Sequence, residues 1–195
     1  MPTTQKSQSW QKPGFIISTD KTLLSVPAIN HAFGLDLVYW TNPVPEEILR
    51  GIIDNSFCLG LYEIGDLSSD VNANTSTGKS SSLPLSSEST SNLVNSTNLK
   101  QIGFARLVGD MITFAYFTDL YVLPEYQGFG LGGWLIDCIG EVLNAMPHLR
   151  WAMLRTSLER SQFAYEKRLG MDVLVSGDVN DGPVMMGRKG RLGGP

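Results

Sequence analysis

A single mixed α/β domain is the fold class this sequence predicts, and three observations carry it. Strand-like and helix-like apolar runs alternate along most of the chain. A hairpin, a glycine-rich loop and an amphipathic helix follow one another between residues 101 and 146. The 195 residues, 42% of them hydrophobic, suit one core.

Taken in order, residues 1–14 are polar and lack the apolar centre of a secretion signal, so a disordered leader is expected, with the domain spanning 15–187. Residues 15–18 read as a first strand, and 22–33 and 45–55 as helices. In the second helix Pro45 suits an early position, Glu46 and Glu47 favour the positive helix start, and Ile48, Ile52 and Ile53 give an apolar face. A strand at 58–64 precedes a stretch, about 67–98, made mainly of Ser, Thr and Asn. That stretch cannot bury enough apolar surface to offset its ordering entropy and reads as a disordered insertion. Loop closure costs little more for a long loop than for a short one, so the strands at 58–64 and 101–108 remain candidate neighbours in one sheet.

Strands at 101–108 and 112–123 flank the tight turn Gly109-Asp110. Leu135, Cys138, Ile139, Val142, Leu143 and Met146 then recur at three- and four-residue spacing, the signature of a half-buried helix, which Pro147 ends. Residues 151–156 read as a buried strand and 161–169 as a helix stopped by Gly170. Residues 172–175 and 183–186 suit a closing hairpin around Asp181-Gly182, and 188–195 a flexible tail.

Composition narrows the function. A net charge of −4 argues against a nucleic-acid partner, and no apolar stretch approaches a bilayer span. His31 and His148 belong to no metal-spaced cluster, so no metal is expected. Cys58 and Cys138 each sit in an apolar segment and read as buried free thiols. A cytoplasmic location is expected, with the nucleus left open. A homodimer also stays open.

The chemistry concentrates between Asp119 and Trp134. A strand feeds a loop holding Gly128, Gly130, Gly132 and Gly133, and the loop opens the helix. The first N–H groups of a helix lack intrahelical partners and carry partial positive charge. Glycine lets a phosphate approach such groups without a Cβ in the way, so the segment is a cradle for a pyrophosphate. Gly128, Gly130 and Gly133 also satisfy the dinucleotide fingerprint G-x-G-x-x-G. The next strand, however, carries no acid at its end for a ribose, and too little chain follows for a dinucleotide sheet. A Walker loop fails because no Gly-Lys-Ser/Thr follows.

Gln127-Gly128-Phe129-Gly130-Leu131-Gly132 resembles the Gln/Arg-x-x-Gly-x-Gly/Ala signature of the GNAT superfamily of acetyl-CoA-dependent N-acetyltransferases. The context strengthens the motif: a hairpin before it, a helix and strand after it, and Tyr165-Glu-Lys-Arg-Leu-Gly-Met171 beyond. The resemblance covers about 15–66 and 100–175. It implies a mixed central sheet flanked by helices, in which two neighbouring strands splay to admit the pantetheine arm of acetyl-CoA. It further implies that backbone groups of Leu120, Tyr121 and Val122 pair with the pantetheine amides and that Gln127 shapes the loop. The N–H groups of Gly128, Phe129, Gly130, Leu131, Gly132 and Gly133 would hold the pyrophosphate. Strand alternation sends Leu120 and Val122 to one face and Asp119 and Tyr121 to the other, with a bulge expected in this strand.

Two catalytic candidates follow. Tyr165 corresponds to the family's tyrosine near the coenzyme A sulfur, where a phenol assists the departing thiolate. It stands five residues before Gly170, where the family has four. Asp119, at the expected bulge, is the nearest carboxylate for a general base, and a strand-bulge hydrogen bonder is the competing reading; Glu125 is a further candidate. Tyr39 and Trp40 read first as core aromatics and second as lining for the acceptor. The expected reaction is direct acetyl transfer to a primary amine of a small molecule or protein. A longer acyl-CoA as donor and a non-catalytic acyl-CoA sensor are the rivals.

Overall fold

The computed structural model describes residues 7–65, 98–156, 159–174 and 184–190. The expected insertion, apart from Asn98, lies outside the described residues, as do residues 1–6, the Asp181-Gly182 turn and the last five residues. The strands are β1 (Ser9–Lys12), β2 (Phe15–Ser18), β3 (Phe57–Ile64), β4 (Leu99–Val108), β5 (Phe114–Val122), β6 (Trp151–Thr156), β7 (Asp172–Leu174) and β8 (Val184–Lys189). The helices are α1 (Val26–Phe33), α2 (Glu46–Asp54), α3 (Leu131–Asn144) and α4 (Glu159–Leu169). All strands join one sheet in the order β1-β2-β3-β4-β5-β6-β8-β7. Only β5 and β6 run parallel, which their crossover through α3 requires.

Side-chain alternation gives the sheet two buried faces. Leu59 and Leu61 of β3 face the core that α3 covers with Leu135, Ile139 and Leu143. Cys58, one residue out of phase, joins Phe104 and Tyr121 in a second core beneath α1 and α2, which contribute Ile29, Phe33, Leu49 and Ile53. Leu135, Ile139 and Leu143 are essentially inaccessible to water, and each contributes roughly 1.5–3 kcal/mol by burial. An aspartate at Ile139 would leave a charge without a partner and break this layer. The strands on either side of the insertion do pair, from Phe57↔Leu107 to Ile64↔Leu99.

Several boundaries depart from expectation. Part of the expected leader is a strand: β1 pairs with β2, the Trp10 indole donates to Glu141 Oε2 at 2.7 Å, and Lys12 lies 4.8 Å over the Trp134 ring. An amphipathic edge strand with long polar side chains lacks the apolar run that signals a buried strand. The expected helix 22–33 is broken at Leu24. Asp20 caps a 3₁₀ turn at Lys21–Leu23, and Ser25 caps α1 afresh, with Pro27 in its first turn. Pro45 is the N-cap residue of α2. β5 begins at Phe114 instead of 112, because the Asp110 carboxylate accepts the N–H groups of Ile112, Thr113 and Phe114 and turns the expected tight turn into a longer capped one. β8 extends into the expected tail, where Arg188 and Lys189 pair with Ala152 and Trp151.

Candidate active site

The pairing of β5 with β6 stops halfway along β5. It runs from Phe114↔Trp151 to Phe117↔Leu154. From Thr118 to Val122 no described residue pairs with β5 on that side. On its other side β5 stays paired with β4, but the register slips between Arg106↔Thr118 and Phe104↔Tyr121. Ala105 therefore faces both Asp119 and Leu120, and Asp119 sits at φ 55°. This is the bulge expected in this strand.

The bulge redirects the end of β5. Leu123 N–H donates to Ile102 O at 2.9 Å, so by alternation the backbone of Tyr121 faces β4, while that of Leu120 and Val122 faces the gap. Among the three expected backbone partners, Tyr121 is thus turned away. The side chains divide as expected: Leu120 and Val122 toward the α3 core, Tyr121 into the α1–α2 core. Val122 O is already engaged, accepting from Gln127 Nε2 at 3.0 Å. That bond ties the loop back onto the strand.

The loop between β5 and α3 is held from below. The Tyr126 hydroxyl donates to Glu63 Oε2 at 2.6 Å and accepts from Lys100 Nζ at 3.0 Å. Glu63 and Lys100 are direct partners across β3 and β4, so two strands grip one ring. Gly128 and Gly130 follow at φ 89° and 73°, a region where a Cβ is strained. A Cβ built on either would meet nothing within 4 Å. Here the glycines serve backbone conformation and open approach, and the space above them is free. Gly130 is the N-cap of α3 with no side-chain cap, so the N–H groups of Leu131, Gly132 and Gly133 open onto that space. Phe129 projects from the rim, 69% exposed.

Gly133 has a different job. Its Cβ would come within 2.7 Å of Arg168 Nη2, and Arg168 also binds both carboxylate oxygens of Asp137, at 2.8 and 2.7 Å. The absent side chain leaves room for the Arg168 guanidinium against the start of α3. With Arg168 turned to α3, Tyr165 faces the sheet despite the five-residue spacing. Its ring meets Phe117 edge-on, centroids 5.6 Å apart, and Phe117 is the last β5 residue paired with β6. Burial, with a smaller contribution from Tyr39, pushes the Tyr165 phenol up to about 12.

Asp119 is 93% buried (relative exposure 7%) and its oxygens are occupied. Oδ2 accepts from Arg106 Nε at 2.7 Å, and Oδ1 from Trp40 Nε1 at 3.3 Å and Thr118 Oγ1 at 3.1 Å. Arg106 Nη1 in turn donates to Ser56 Oγ. This geometry favours the bulge-anchor reading of Asp119 over the general base. Glu125 lies in the exposed 3₁₀ turn Pro124–Tyr126. Sequence reasoning assigned no role to Arg106, although an arginine within an apolar strand implies a buried acid to pair with it. Tyr39 and Trp40 are not core residues: they stand 61% and 42% exposed beside the bulge. Burial pushes Cys58 up to about 11 and Cys138 up to about 12, so both thiols stay protonated and inert. Among the described residues no cluster of His, Cys, Asp and Glu could hold a metal, and no helix is long and apolar enough to cross a membrane.

Known proteins resemble this chain in sequence and in fold. The profile described as "Acetyltransferase (GNAT) family" matches residues 77–171. A Gibberella zeae protein named "Putative acetyltransferase FG08082" is 36% identical over 166 residues, covering 85% of this chain and 84% of that protein. Among solved structures, a GNAT-family acetyltransferase from Streptococcus pneumoniae superposes with a TM-score of 0.57 at 12% identity, over 90% of this chain and 99% of that one. The spermidine N-acetyltransferase of Vibrio cholerae, solved with CoA and spermine, gives 0.56 at 13% identity, over 91% and 96%. At these identities the structures speak for the fold, whereas the Gibberella relative speaks for descent. On that relationship, and on the family profile over the strand, loop and helix just described, the chain belongs to the GNAT family of acetyltransferases.

Proposed function

We propose that the chain transfers an acetyl group from acetyl-CoA to a primary amine, directly and without a covalent enzyme intermediate. The single observation that carries this reading is the β5–β6 pairing that ends at Phe117, with an open glycine cradle at the far end of the unpaired strand. The residues present fit acetyl-CoA: free helix-start N–H groups suit its pyrophosphate, and a half-unpaired strand edge suits its pantetheine amides.

When bound, acetyl-CoA supplies a thioester carbon open to attack and a sulfur able to leave as thiolate. Gly128, Phe129, Gly130, Leu131, Gly132 and Gly133 would hold the pyrophosphate through backbone N–H groups, the last three from the start of α3. Leu120 and Val122 hold the pantetheine arm in the gap. The amine lone pair would form the new C–N bond as the C–S bond breaks and its electron pair leaves with sulfur. Tyr165 donates a hydrogen bond to that sulfur. A phenol held near 12 is a weaker acid than an ordinary thiol, near 8.5, so Tyr165 stabilises the thiolate while keeping its own proton. Asp119 anchors the bulge, and the proton lost by the amine passes to water.

Thiol release from acetyl-CoA across a panel of primary amines tests the reading. Amine-dependent release with matching acetylated product is the expected result. Tight acetyl-CoA binding with no release on any amine would leave a binding protein instead of a transferase.

A further inference from the structure

The connection between α1 and α2 is built as a rigid ledge. The Asn30 side chain grips its far end twice, donating from Nδ2 to Val44 O at 2.8 Å and accepting Val44 N–H on Oδ1 at 3.0 Å. In the middle, a 3₁₀ turn at Asp36–Val38 buries Val38 completely in the α1–α2 core. Gripped at both points, the turn cannot roll inward. It carries Tyr39 and Trp40 outward as an edge-to-face pair, centroids 5.2 Å apart at 86°. The Trp40 indole reaches Asp119 Oδ1 in the bulge, which fixes the ring beside the end of the β5–β6 gap. Tyr39 lies near enough to Tyr165 to contribute to holding that phenol protonated.

Two large rings, 61% and 42% exposed and set at 86° to each other, form a preorganised corner for a third ring. Among the described residues, the charges nearby do not ask for a polycation. Asp119, the carboxylate that the ledge touches, is already matched by Arg106 at 2.7 Å. Asp36, at the start of the turn, is solvent-exposed, and a hydrated carboxylate discriminates weakly between cations.

We infer that the acceptor, on the transfer reading above, is a small amine carried on a flat aromatic body that stacks on the face of one ledge ring and meets the other edge-on. The ring rests on the ledge, and the aminoalkyl arm carries the nitrogen past the bulge to the thioester. Spermidine-like polyamines and lysine side chains lack the flat apolar body that the ledge fits.

The test uses the full chain, saturating acetyl-CoA and thiol release, with 2-phenylethylamine and tryptamine set against hexylamine, spermidine and a lysine-bearing peptide. The aromatic amines should exceed the others in kcat/KM by about tenfold or more. Tyr39→Ala and Tyr39→Leu should remove most of that advantage, since a branched aliphatic group cannot replace a ring face, while acetyl-CoA affinity stays within about twofold because the cradle is untouched. Calorimetric titration of 2-phenylethylamine into CoA-loaded protein should show the same weakening without any turnover. Equal or better use of hexylamine, spermidine or the peptide would overturn the ledge and leave acetyl transfer standing. No turnover of any amine, with acetyl-CoA still bound, would overturn the transfer reading and the ledge with it.

Discussion

The two regions that meet at the β5–β6 gap are made in different ways. On the donor side, the cradle at residues 127–133 is one continuous segment that works through backbone: two glycines at positive φ, a glutamine folded back on its own strand, and uncapped N–H groups. On the proposed acceptor side, Trp40, Ser56, Arg106 and Asp119 come from four separate parts of the chain and are joined through side chains. A phosphate presents the same oxygens whatever acceptor is used, so a backbone device suits it. An acceptor varies, and side chains on a loop can change without disturbing the cradle. The contrast implies that donor binding and acceptor use fail separately when each side is damaged.

The strongest way to break that separation lies at Gly130. Gly130→Glu puts a side chain at φ 73° and a carboxylate into the phosphate space, and should weaken acetyl-CoA binding about 10²-fold or more with the fold retained. Calorimetry on the purified variant decides it; unchanged affinity would mean that the loop is only a packing turn.

Tyr165→Phe sharpens the comparison, because Tyr165 belongs to neither side and is proposed to act on the leaving sulfur. A hydrogen bond to a charged group contributes about 1.5–3 kcal/mol, so kcat should fall about 10- to 10²-fold with acetyl-CoA affinity unchanged. The phenol's folded value is raised to about 12, so its proton is present at every pH below that. Wild-type kcat should therefore lose nothing from this group as pH passes 10, where an ordinary tyrosine ionises. By linkage, the stability that comes from burying the neutral ring is complete below pH 10 and is lost between about 10 and 12. A kcat that fell with an apparent pKa near 10 would remove Tyr165 from the role.

The smallest effect is expected at Arg106, and it should appear on the acceptor side alone. Arg106→Gln leaves the Asp119 carboxylate without its cation. Breaking a fully buried pair costs about 3–5 kcal/mol; with the Arg106 side chain 19% exposed, a loss nearer 1–3 kcal/mol is expected. The bulge should loosen, and amine kcat/KM should fall about tenfold while acetyl-CoA affinity holds within about threefold. Adding Asp119→Asn removes the stranded charge and should restore part of the stability, though not the activity. An equal loss of acetyl-CoA binding in Arg106→Gln would show that the two sides are mechanically one.

Legibility in the sequence follows the same division. The cradle could be read because its residues are contiguous and its chemistry depends on what glycine lacks. The hairpin, α3 and the bulge at Asp119 followed from alternation, helical period and the family resemblance. Tyr39 and Trp40 were misread as core, because aromatic character alone does not tell which way a short turn will face. β1 was missed because an edge strand fixed by Trp10–Glu141 and Lys12–Trp134 shows no apolar run.

By itself the sequence determined the local pieces: strands and helices by period, the anion-binding loop by its glycines, and the helix stops by Pro147 and Gly170. These depend on residues within a few positions of one another, so their physics is present in any short window. Only the tertiary structure decided that Arg106 meets Asp119, that Asn30 grips Val44, and that Arg168 fits where Gly133 has no side chain. Such contacts join positions 13 to 35 residues apart and exist only once the sheet register and the helix crossings are set. Packing therefore chose which polar groups become partners, and with them the shape of the acceptor side.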